Sequence, residues 1–148
     1  MSSTHICLLY HLIFSTKRRF PWINGSWEER LHTYLGGIVR GLGGVPGQIG
    51  GIADHVHLAV SLKATHCLAD IMMKLKSRSS EWVHDVMGLR MFGWQDGYGA
   101  FTVSRADMEF LKQYIQDQKE HHRKRTFQEE YVEMLRQSGI DFDERYLW

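Results

Sequence analysis

Two histidines one residue apart, in Asp54-His55-Val56-His57, sit in a short apolar run from Ile52 to Leu62. In a strand alternate side chains share a face, so His55 and His57 project together while Val56, Leu58, Val60 and Leu62 turn into the core. Two imidazoles about 7 Å apart along a strand can close on one divalent cation; surface or capping histidines are the plain alternative. Farther on, Tyr114 and Gln118 stand four residues apart, which places them on one helix face. Met108, Leu111 and Ile115 fall on another face, so the core does not need this tyrosine. A phenolic oxygen can attack a phosphodiester and split one hard displacement into two. Because free tyrosine titrates at about pH 10, a cation beside it has to polarise the phosphate and offset the charge of the transition state. Two imidazoles and an amide oxygen, completed by water and substrate oxygens, make a mixed nitrogen–oxygen site suited to Mg²⁺ or Mn²⁺. No general base is evident, and strand alternation points Asp54 to the face opposite the histidines.

The elements that hold these groups can be read from hydrophobic spacing. Residues 5–16 are apolar on both alternating sets, which predicts a central strand. Ser26 and Glu29 form a capping-box pattern before Leu31, Tyr34, Leu35, Ile38, Val39 and Leu42, so a helix is predicted over 27–42 and ended by glycines. A strand near 46–52 pairs with the His-Val-His strand. Thr65 opens a second helix with the stripe Leu68, Ile71, Met72, Leu75, Trp82, Val83 and Val86. Residues 92–104, with glycines and aromatics interleaved, predict an irregular strand or short hairpin. A third helix starts after Ser104 and Asp107 and runs to about Arg123, and Phe127, Tyr131, Met134 and Leu135 mark a short fourth. The order β-α-β-β-α-β-α predicts an α+β, ferredoxin-like (split βαβ) fold: an antiparallel sheet with helices on one face, an extra C-terminal helix and a tail.

The chain of 148 residues predicts one domain, with the working part in 1–126 and a helix and acidic tail of the same domain in 127–148. No apolar run reaches the roughly 18 residues of a membrane span. The stretch Ile6 to Phe14 has no basic region before it, so it is expected to be a buried strand and not a secretory signal. Cys7 and Cys67 suggest no disulfide framework and are expected as buried thiols in a reducing cytoplasm. The net charge of +1 hides an asymmetry: residues 1–126 balance to +5 and residues 127–148 to −4. A basic body fits a polyanionic partner. The acidic segment could fold back over the basic face and compete with DNA, or simply pack as a helix on the domain's edge.

The ordered set resembles the single-tyrosine HUH transposases of bacterial insertion sequences, including the REP-associated tyrosine transposases. It comprises Ser15-Thr16-Lys17-Arg18-Arg19 after the first strand, His55-Val56-His57, the segment Phe92 to Phe101, Tyr114-x-x-x-Gln118 and Glu120-His121-His122. The resemblance implies cleavage and rejoining of single-stranded DNA at hairpin or palindromic ends. Tyr114 would be the nucleophile, leaving a 5′-phosphotyrosine, and His55, His57 and Gln118 would hold Mg²⁺ or Mn²⁺. A homodimer and a cytoplasmic, nucleoid-associated location are implied as well. A silent single-stranded nucleic-acid-binding module derived from such an enzyme is the alternative. Lys17, Arg18, Arg19, Lys74, Arg78, Arg105 and Lys112 are expected to contact DNA, giving affinity that weakens steeply with salt. Trp94 and Tyr98 could stack on bases, although packing is expected for at least one. His121 and His122 are expected mainly to face a helix C-terminus, with a ligand role as the alternative, and His5, His11, His32, His66 and His84 receive no role.

Overall fold

The strands β1 (Leu9–Ser15), β2 (Val45–Ile52), β3 (His55–Ser61) and β4 (Gly99–Thr102) form one antiparallel sheet in the order β2-β3-β1-β4, in a computed structural model that describes residues 3–147. This is the α+β, split βαβ arrangement that the element order predicts. The helices α1 (Glu28–Gly41) and α2 (Leu68–Asp85) make the two crossovers. Their apolar stripes bury Leu31, Leu35, Val39, Ile71, Met72 and Leu75 against Leu12, Phe14, Val56, Leu58 and Val60. Each such side chain taken out of water contributes about 1.5–3 kcal/mol.

The opposite face of the sheet carries Leu9, His11, Ile13, His55, His57 and Ala59, as strand alternation requires. Contrary to the expectation of helices on one face, this face is covered too. The helices α3 (Met108–Gln116), α4 (Gln118–His121) and α5 (Phe127–Gln137) follow the sheet in sequence. Met108 and Ile115 pack on Leu9 and Ala59, and Phe127, Tyr131 and Leu135 pack on Ile13. Leu9, Ile13 and Ala59 are as apolar as the core on the other side, so the sheet needs cover on both faces.

Several boundaries differ from the sequence reading for local reasons. Trp27, not Ser26, precedes α1, because the Asn24 side chain accepts from the Ser26 backbone N–H at 2.9 Å and holds that residue in a turn. The second helix begins at Leu68 and not near Thr65, since 63–66 form a turn in which His66 Nδ1 accepts from Lys63 N–H at 2.9 Å. The predicted third helix breaks at Asp117, which leaves the helical region at φ −93, ψ 19. The capping pattern that operates is Thr126 and Glu129: the threonine hydroxyl oxygen accepts from the Glu129 N–H at 3.2 Å and starts α5. Cys7 and Cys67 are exposed rather than buried, because one lies before β1 and the other caps α2. Among the described residues no helix is long and apolar enough to cross a membrane.

Candidate active site

Register fixes the centre of the site. His55 pairs with Ser15 and His57 with Ile13 on β1, so both imidazoles leave β3, a middle strand of the sheet, on one face, and both are fully buried. On the other flank of β3, Gly50 pairs with His57. A Cβ at Gly50 would lie 2.6 Å from the Ile115 carbonyl oxygen. Only a residue without a side chain lets α3 descend this far onto the sheet, and the descent brings Tyr114 to the histidines, with ring centroids of His57 and Tyr114 6.0 Å apart.

Gln118 is buried at the start of α4, and its Oε1 lies 3.0 Å from His55 Nε2. The same oxygen lies 3.0 Å from His122 Nε2. The structure thus brings His55, His57, Gln118 and Tyr114 together. The sequence reading missed Glu130, on α5, which is 2% exposed. The Glu130 carboxylate lies 3.0 Å from His57 Nε2, accepts from Gln118 Nε2 at 3.2 Å, and accepts a hydrogen bond from the Tyr114 hydroxyl. His122 Nε2 is 3.4 Å from it. Glu130 belonged to the segment expected to act as an acidic tail, and its place in the site is set by the docking of Phe127 and Tyr131 around it.

Each ring that faces this cluster is held from behind through its other nitrogen. His55 Nδ1 lies 2.8 Å from the Asp54 carboxylate, His122 Nδ1 3.0 Å from the Arg125 carbonyl, and His57 Nδ1 2.7 Å from His11 Nε2. Asp54 thus faces the histidines after all; it lies in the turn between β2 and β3, where strand alternation does not apply. His11, given no role from sequence, stacks on His57 at 5.0 Å between ring centroids. His121 is turned elsewhere and stacks on the Tyr114 ring at 4.4 Å.

Electrostatics follow from this burial. Desolvation, then the neighbouring imidazole in each case, lowers His57 to about 4 and His11 to about 3, so both rings are neutral near pH 7 and keep a lone pair. Burial alone would raise Glu130, but hydrogen bonds to His122 and His57 outweigh it and hold the carboxyl well below the usual range. Burial, then the adjacent Glu130, pushes the Tyr114 phenol above the ordinary tyrosine range. The ligand-type atoms of His55, His57, His122 and Glu130 all lie within 4.8 Å of one another. Imidazoles oriented by a carboxylate, a carbonyl and another ring, facing a shared carboxylate, are what a divalent cation requires of its surroundings, so these residues fit a metal.

The expected DNA contacts are spread more widely. Lys17, Arg18 and Arg19 form a single 3-10 turn directly after β1, at the sheet end where Ser15 meets His55. Arg18 and Arg19 adopt left-handed backbone with φ 57 and 55. With its amide oxygen turned toward Arg19, Gln128 of α5 accepts from that guanidinium at 2.7 and 3.1 Å. Lys74 and Arg78 lie on α2, on the sheet face away from the histidines, and Arg78 lines a groove there with Tyr34 and Trp82. Arg105 is exposed before α3, while Lys112 extends over Gly47 and pairs with Glu109 at 3.2 Å. Trp94 is a packing residue, edge-on to Phe14 and Phe92 with its indole N–H donating to Ser79 Oγ at 2.9 Å, whereas Tyr98 is partly exposed.

The α+β fold is shared with solved structures. A candidate transposase from Deinococcus radiodurans R1 superposes with a TM-score of 0.66 at 25% identity, covering 80% of this chain and 95% of that one. A REP-associated tyrosine transposase bound to a REP hairpin superposes with a TM-score of 0.61 at 14% identity over 82% of this chain and 74% of that one, a likeness of fold. No curated protein sequence matches the chain. Residues 4–118 match the model of the IS200-like transposases, and the chain belongs to that family, whose business is DNA transposition.

Proposed function

We propose that the protein cleaves and rejoins single-stranded DNA through Tyr114, at ends that fold as hairpins. The observation that carries this reading is the meeting, within one chain, of the Tyr114 hydroxyl with Glu130 and of Glu130 with His57, Gln118 and His122. The phenol oxygen attacks the phosphorus, the P–O3′ bond breaks, and the DNA strand remains on the enzyme as a 5′-phosphotyrosine. One proton leaves the phenol and one reaches the departing 3′ oxygen, so the proton count closes. Glu130 is placed to take the first, which answers the missing general base of the sequence reading. Its low proton affinity makes it a weak base at rest, so it positions the phenol first and accepts the proton as the phenol's acidity rises in the transition state.

His55, His57, Gln118, His122 and Glu130 would hold a divalent cation, which supplies charge to stabilise the phosphorane-like transition state and the leaving oxygen. The donor set is richer in imidazole than two histidines and an amide, which ranks Mn²⁺ above Mg²⁺. Asp54 and the Arg125 carbonyl keep His55 and His122 turned toward that position. Because Tyr114 meets histidines of its own chain, cleavage in cis needs no second subunit, and the dimer implied by the resemblance is not required to assemble the centre. The hairpin bound by the REP-associated relative supports a DNA hairpin as the substrate here as well.

The deciding experiment incubates the protein with Mn²⁺ or Mg²⁺ and labelled single-stranded hairpin DNA and separates covalent adducts under denaturing conditions. Wild type traps DNA and Tyr114→Phe does not. An adduct of equal yield from Tyr114→Phe would show that another group is the nucleophile.

A further inference from the structure

A cleft of about 500 Å³ opens from the Tyr114 hydroxyl toward solvent, between α3 and α5. Its floor is His11, Tyr114 and Glu130, and Leu111 and Met134 line its apolar walls. At its mouth stands Phe110, one helical turn before Tyr114 and 78% exposed. Residues four apart on a helix share a face, so this phenyl ring and the phenol border the same space. With most of its surface in water, this ring is free to meet a ligand that enters the cleft.

We infer that this cleft is a nucleobase subsite in which one base of the DNA strand stacks on Phe110. The inference rests on the reading of Tyr114 as the nucleophile, because a nucleotide joined to that phenol by a single phosphate is confined to its neighbourhood. The charges in the cleft choose between base and backbone. Asp107, Glu130 and Glu133 bring carboxylates to it against one cation, Arg125. A run of phosphates is repelled there, whereas a neutral base with amino and carbonyl edges is not. The Arg125 guanidinium also donates to the Glu129 carbonyl at 3.2 Å, which holds it on the α5 side of the opening, where it can meet the single phosphate that carries the base. Every nucleobase has a π face, so Phe110 supplies affinity with little sequence preference.

The test measures affinity in the presence of a chelator, so that no cleavage intervenes, using full-length protein with two probes: a dT12 oligonucleotide and a 12-mer of abasic nucleotides with the same phosphates. Phe110→Ala is expected to weaken dT12 binding roughly 5- to 150-fold, the span of one base–aromatic stack, and to leave the abasic chain unchanged. Phe110→Trp should bind dT12 at least as well as wild type. Equal affinity of Phe110→Ala and wild type for dT12 would overturn the subsite, as would equal losses for both probes. Adduct formation by wild type, assayed separately with metal, reports on the nucleophile and not on Phe110, so the two readings fail independently.

Discussion

Gly50→Ala isolates the contact that sets the height of α3 above the sheet. An added Cβ meets the Ile115 carbonyl oxygen at 2.6 Å and Ile115 Cγ2 at 2.9 Å. Restoring ordinary contact at about 3.4 Å asks for a separation of about 0.8 Å, and because the obstacle is backbone, no rotamer change can supply it. The helix must lift, and it carries Tyr114 one residue before the point of collision. Overpacking of this kind costs about 1–3 kcal/mol, which for a chain of this size lowers Tm by roughly 2–12 °C. The chemical consequence is larger, because a misplacement of about 1 Å costs on the order of 100-fold in rate. The assay pairs thermal melting with single-turnover cleavage of a labelled hairpin at saturating metal, and Gly37→Ala serves as a matched comparison. A Cβ at Gly37 meets nothing within 4 Å, so that change should leave cleavage intact and stabilise α1 by up to about 1 kcal/mol. Wild-type cleavage by Gly50→Ala would refute the idea that this close approach sets the tyrosine.

Glu130→Gln keeps the shape of the side chain but removes the proton acceptor beside Tyr114, and single-turnover cleavage should fall by about 10²–10⁴ while the melting curve keeps one cooperative transition; a loss under threefold would show that the carboxylate does not take part. Asp54→Asn leaves His55 in the strand but weakens its orientation, so the metal concentration for half-maximal cleavage should rise about 10- to 100-fold, as read from a Mn²⁺ titration, with an unchanged midpoint counting against the role. In chelator, acid should destabilise the protein in a defined window. His57 and His11 have native values of about 4 and about 3, below the ordinary 6.5, so below about pH 6.5 the unfolded chain binds more protons than the native one. Stability from these two rings is complete above that pH and is lost as pH falls toward 4. Urea midpoints at pH 7, 6, 5 and 4 check this, and a slope no shallower in His11→Phe than in wild type would contradict the assignment for His11.

The parts of the site that the sequence made legible are those whose geometry is local. His55 and His57 share a face by strand alternation, and Tyr114 and Gln118 share one by helical spacing, even though the helix breaks between them. The α+β order of elements could be read for the same reason. What escaped depends on tertiary packing: which face α3 to α5 cover, and which polar groups they deliver. Signals were nonetheless present. Glu130 interrupts the apolar stripe of Phe127, Tyr131 and Met134, His11 lies between Leu9 and Ile13 on a buried strand face, and His122 is one turn past Gln118. A polar residue in an apolar face calls for a partner, and here Glu130 meets His57 and His122 while His11 meets His57. Asp54 escapes alternation because it lies one residue outside the strand, in its turn.

The distance along the chain between the parts of this centre has a consequence for synthesis. All four strands have been made by Thr102, and the family match ends at residue 118, yet His122 and Glu130 come later still. During synthesis the strands that carry the histidines are therefore complete before the groups that pin the phenol exist. For an enzyme whose proposed chemistry breaks DNA, cutting competence arrives with the last helix, after the scaffold that aims it.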